Sequence, residues 1–90
     1  MKNISHWRRQ IDEIDEKILE VINKRAECVL EIGKLKSKRN IEVFDPEREN
    51  NIISHLREIN NGPLSDNAIQ RFFECLITES KLMEKNNIST

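Results

Sequence analysis

Ninety residues with 37% apolar, 34% charged and only 4% aromatic side chains suffice for one small domain and leave no room for a second. Fifteen Lys and Arg against sixteen Asp and Glu give a net charge of −1 and a pI near 6.1, so the bulk basic field needed to grip nucleic acid or an acidic membrane is missing. Apolar runs of two or three residues and a start without the apolar core of a signal peptide point to a cytoplasmic chain.

Two Gly and two Pro in the whole chain describe helices with short connections, and we expect an all-α fold. Ile4, Trp7, Ile11, Ile14, Ile18, Val21, Arg25, Cys28, Ile32 and Leu35 follow one another at spacings of three and four. This predicts one long helix over residues 4–38, capped by Asn3 or Ser5. Asp12, Glu13, Asp15 and Glu16 load its first half, and Lys34, Lys36, Lys38 and Arg39 its end, as the helix dipole favours. Asn40 suits a left-handed stop. Residues 41–44 alternate like a strand but have no partner segment, so an extended loop is expected. Asp45 and Pro46 read as N-cap and first residue of a second helix over 46–60, with Glu49, Ile52, Ile53, Leu56 and Ile59 on one stripe. Asn61, Gly62 and Pro63 stop it. Ser65 caps a third helix over 66–85, with Ile69, Phe72, Phe73, Leu76, Ile77, Ser80, Met83 and Glu84 facing inward and a fraying tail from Lys85.

The first helix would be about 52 Å long, whereas a compact chain of this size has a radius of gyration of only about 12 Å. Its second apolar row, Leu19, Ile22, Ala26, Val29 and Gly33, is available to the chain's own shorter helices. Its N-terminal half keeps a single row that needs a partner. A homodimer with paired long helices is the economical expectation.

The interruptions of the stripes carry more information than the stripes. Arg25 occupies an inward slot, where a guanidinium must find an anion; taken alone, it fits a register residue as well as a ligand contact. Lys36 lies about 16 Å further along the same face, although alone it is one of four cations at a helix end. Glu49 falls on the inner stripe of the second helix, and a plain first-turn carboxylate would also sit there. Ser80 and Glu84 extend the inner stripe of the third. Together these five groups describe a partly buried, mostly cationic pocket for a small organic anion. His6 and His55 lack a nucleophile, an acid pair or ligand spacing and read as surface residues. Cys28 and Cys75, 47 residues apart, read as buried reduced thiols rather than a disulfide or a zinc site. Neither a metal nor a cofactor is expected.

The stretches Trp7-Arg8-Arg9-Gln10-Ile11-Asp12-Glu13-Ile14-Asp15, Asn23-Lys24-Arg25-Ala26, Glu31-Ile32-Gly33-Lys34-Leu35-Lys36, Asp45-Pro46-Glu47-Arg48-Glu49 and Thr78-Glu79-Ser80 resemble the all-helical chorismate mutases. The likeness runs from about residue 4 to residue 85. It implies an intertwined homodimer of three-helix chains that turns chorismate into prephenate, a stand-alone enzyme of the shikimate pathway on the way to phenylalanine and tyrosine. By this resemblance Arg25 and the partner chain's Arg8 hold the two carboxylates, and Lys36 bonds the ether oxygen and a carboxylate. Glu49 and the backbone at Asp45 meet the ring hydroxyl, Arg48 is a nearby cation, and Ser80 lies by a carboxylate. Arg8 and Arg25 are about 25 Å apart on one helix, so a small substrate touches both only if Arg8 comes from a neighbour. Glu84 departs from the bacterial pattern, which commonly has Gln there. A protonated carboxyl donates to an ether oxygen as an amide does and an ionised one cannot, so activity is expected to decline with rising pH. The rival readings are an isochorismate-pyruvate lyase on the same fold and a non-catalytic helical dimerisation module with Arg25 as register residue.

Overall fold

A computed structural model describes residues 1–89, with side chains described through residue 86. It is all-helical, with three helices in the order α1 (Ile4–Lys38), α2 (Pro46–Ile59) and α3 (Asp66–Ser89), and it has no strand among the described residues. Asn3 caps α1, its side chain accepting a hydrogen bond from the His6 N–H at 3.0 Å. At the other end Asn40 takes the left-handed conformation, φ 55°. The Ile41 N–H then donates to the Lys36 carbonyl at 2.8 Å and the Asn40 N–H to the Ser37 carbonyl at 3.4 Å, the paired closure that ends many helices. Asp45 caps α2 by accepting from the Arg48 N–H at 3.0 Å, and Pro46 takes the first turn, where its missing N–H is no loss.

The α2–α3 turn is built on Asn60, whose amide donates to the Leu64 carbonyl at 2.9 Å and to Asp66 at 2.8 Å. Ser65 caps α3, its hydroxyl accepting from the Ala68 N–H at 3.1 Å. The helix runs on to Ser89 rather than stopping near residue 85, since no Gly or Pro breaks it there.

The packing is a line rather than a triangle. α3 lies in the middle and packs on both α1 and α2. The row Ala26, Val29, Leu30 and Gly33 of α1 is half-buried or buried, as are Ile52, Ile53 and Leu56 of α2 and Ile69, Phe73, Leu76 and Ile77 of α3. Row residues Leu19 and Ile22 remain exposed, because α3 covers only the C-terminal half of the row. The chain measures 58 × 27 × 15 Å with a radius of gyration of 16.5 Å, well beyond a compact chain of this length. Trp7, Ile11, Ile14 and Ile18 are each about half exposed along the protruding part of α1.

Two expectations about packing are corrected. Cys28 and Cys75 are free thiols, but both are exposed. Phe72 is 63% exposed, since a helix turns 100° per residue and the packed face of α3 takes Phe73 instead. Among the described residues no helix is long and apolar enough to cross a membrane.

Candidate functional site

Where the C-terminal half of α1 meets α3 beneath the start of α2, the chain leaves a cavity of about 320 Å³, large enough for a small organic molecule. Its walls include Val29 and Ile32 from α1, Ile52 from α2 and Ile77 from α3. Seven of the eight site residues expected from sequence line it: Arg25, Lys36, Asp45, Arg48, Glu49, Ser80 and Glu84. The eighth, Arg8, is exposed on the far half of α1, about 25 Å from Arg25 along the axis.

Arg25, Ser80, Lys36 and Glu49 are each held by a side-chain interaction. The Arg25 guanidinium donates to the Ser80 hydroxyl at 2.7 Å, and that hydroxyl donates to the Leu76 carbonyl at 2.8 Å. Ser80 thus bonds back to its own helix and aims the cation across the α1–α3 seam. Lys36 donates to the Val43 carbonyl at 3.3 Å, so the extended loop after α1 contributes backbone to the site. Its ammonium also stands 3.6 Å from Oε1 of Glu84, an ion pair too long for a good hydrogen bond. Oε1 of Glu84 is buried and has no hydrogen-bond partner.

Glu84 reaches this position because Gly33 faces it. Gly33 is buried, and a Cβ built there would stand 3.0 Å from Cγ of Glu84. A side chain at residue 33 would therefore compete with Glu84 for space. Gly33, in the row of α1 that faces the chain's own helices, thus allows the close approach of Glu84 on α3.

Asp45 serves twice, capping α2 and lining the cavity. Glu49, one turn on, pairs with Lys81 of α3 at 3.2 Å, while its Oε2 is buried and without a hydrogen-bond partner. Lys81 was missed in the sequence. The signal was present, since Lys81 lies four residues after Ile77 and three before Glu84, on their face of α3, but a Lys near a charged helix end reads as solvated. With it the lining carries Arg25, Lys36, Arg48 and Lys81 against Asp45, Glu49 and Glu84. Two carboxylate oxygens short of donors among fixed cations suit a ligand bearing both negative charge and a hydroxyl or protonated group.

Comparison with known proteins identifies the family. Residues 7–85 match the family model of chorismate mutase type II. A bifunctional chorismate mutase/prephenate dehydratase of Aquifex aeolicus is 33% identical over 89 residues, covering 94% of this chain and 25% of that protein. The chain thus spans about a quarter of the length of such bifunctional relatives. A chorismate mutase of Methanocaldococcus jannaschii is 30% identical over 86 residues, 94% of this chain and 87% of its own length. The solved structure of chorismate mutase (form II) from Thermus thermophilus superimposes with a TM-score of 0.91 at 28% identity, covering 93% of this chain and 96% of that one. Likeness that extends from the second turn of α1 to the late turns of α3, in sequence and in backbone alike, makes this chain a member of the chorismate mutase type II family.

Proposed function

We propose that this chain converts chorismate to prephenate. The reaction is a one-step pericyclic rearrangement, so the protein needs no nucleophile; it must hold a flexible dianion in a compact shape and stabilise charge growing on the ether oxygen. The observation that carries this reading is the convergence of Arg25, Lys36, Glu49, Ser80 and Glu84, from three helices, on one cavity. Arg25, braced by Ser80, binds a carboxylate. Lys36 bonds a carboxylate and the ether oxygen as that oxygen becomes negative. Glu84 stands beside the same oxygen, 3.6 Å from the Lys36 ammonium, and donates to it only as the carboxylic acid. Arg48 adds positive charge at the mouth, and Glu49 with the backbone at Asp45 accepts the ring hydroxyl.

The working unit in this reading is a homodimer in which Arg8 of the partner subunit grips the second carboxylate. The support is the row Ile4, Trp7, Ile11, Ile14 and Ile18, between 49% and 67% exposed on the same stretch of α1 that carries Arg8. The free thiols Cys28 and Cys75 suit a reducing cytoplasm.

The deciding experiment mixes purified protein with chorismate and follows loss of its absorbance together with prephenate formation. Rapid conversion supports the proposal. No conversion overturns it, and pyruvate released from isochorismate instead would assign the cavity to a lyase.

A further inference from the structure

Glu49 and Lys81 form the one cavity pair among the described residues in which a carboxylate has one oxygen engaged by a cation at 3.2 Å and the other buried without a hydrogen-bond partner. Their side chains are 27% and 31% exposed, and both line the cavity. The Lys81 ammonium also lies 5.5 Å from the centroid of the Phe44 ring, in the loop before α2. Held between a carboxylate and a ring face, this ammonium is fixed by the protein on two sides. Its direct hydrogen bond goes to Oε1 of Glu49.

We propose that Lys81 is a positioning residue: by engaging Oε1 it orients the Glu49 carboxylate and leaves Oε2 to accept the ring hydroxyl of the substrate. The inference rests on the mutase reading above. Lys81 also offsets the charge of Glu49 in a cavity that must accept a dianion. The hydroxyl is not part of the bond that breaks, so its interaction with Glu49 is alike in ground and transition states. Loss of such uniform binding raises KM and leaves kcat nearly unchanged.

The test is steady-state kinetics of chorismate conversion by wild type, Lys81→Met, Lys81→Arg, Glu49→Gln and the double variant Glu49→Gln/Lys81→Met, with circular dichroism confirming the fold of each. Lys81→Met should raise KM about tenfold with kcat within about threefold, and Lys81→Arg should restore most of the loss. In the Glu49→Gln background Lys81→Met should cost less than about twofold, because its route through Glu49 is already gone. Should Lys81→Met fail to fold, Lys81→Leu, which also lacks a donor, carries the same comparison. An active wild type with unmoved KM in the Lys81 variants would overturn the positioning role alone. Multiplying effects in the double variant would also overturn it, and would make Lys81 a direct substrate contact. An inactive wild type would instead fail the mutase reading, and this inference with it.

Discussion

The substitution Gly33→Ala probes the close approach of α1 to Glu84. A Cβ at residue 33 would stand 3.0 Å from Cγ of Glu84, against an optimum of about 3.5 to 4.0 Å for two carbons. Relief therefore needs a shift of roughly half an ångström, and the part that can yield is the Glu84 side chain or the helix that carries it. Two effects on stability oppose each other. Replacing a mid-helix Gly by Ala contributes about 1 kcal/mol of helix propensity, and overpacking costs about 1 to 3 kcal/mol. The net change is a loss of about 0 to 2 kcal/mol, so Tm at fixed protein concentration should fall by no more than about 15 °C. Activity is less tolerant. A misplacement of about 1 Å near the reacting atoms costs about a hundredfold, so half of that predicts a loss of about tenfold in kcat/KM, about 1.4 kcal/mol of barrier. Thermal melts and initial rates of chorismate loss are the assays. Wild-type kinetics in the variant would refute the idea that the bare backbone at Gly33 decides where Glu84 stands.

Further outcomes follow from the same geometry. Lys36→Ala and Arg25→Ala should each lower turnover by an amount equivalent to about 3 to 4 kcal/mol with a folded protein by circular dichroism; for a non-catalytic module, Arg25→Leu would instead raise Tm and no dianion would shift it. If Glu84 donates to the ether oxygen, Glu84→Gln, which keeps a donor at that place, should keep turnover at least at the wild-type level and Glu84→Leu should lose it; equal turnover in the two variants would remove Glu84 from that role. If the working unit is the proposed homodimer, Arg8→Ala and Arg25→Ala, each inactive alone, should regain about a quarter of wild-type activity when unfolded and refolded together, since half of such dimers would be mixed and each mixed dimer would have one intact site; no recovery would overturn the shared site. Lys24→Ala removes a pair with Glu20 whose side chains are 68% and 65% exposed, and should change stability by less than about 0.5 kcal/mol in denaturant titrations.

Much was legible in the one-dimensional pattern because it depends on neighbours close in sequence. Caps, stops and stripes rest on contacts a few residues apart, and Asn3, Asn40, Asp45, Pro46 and Ser65 hold the positions their chemistry predicts. The polar groups that interrupt apolar stripes were legible for a related reason: a charge on an inner face requires a partner, and Arg25, Lys36, Glu49, Ser80 and Glu84 meet round one cavity. What required the tertiary structure is which faces touch. α3 lies between α1 and α2, so Phe73 is covered and Phe72 is not, and both thiols stay exposed. The pairing of Lys81 with Glu49, 32 residues apart, and the contact of Gly33 with Glu84 depend on the distance and rotation between helices. Helical periodicity fixes angles around one axis only, whereas placing two axes relative to each other takes the packed side chains of both.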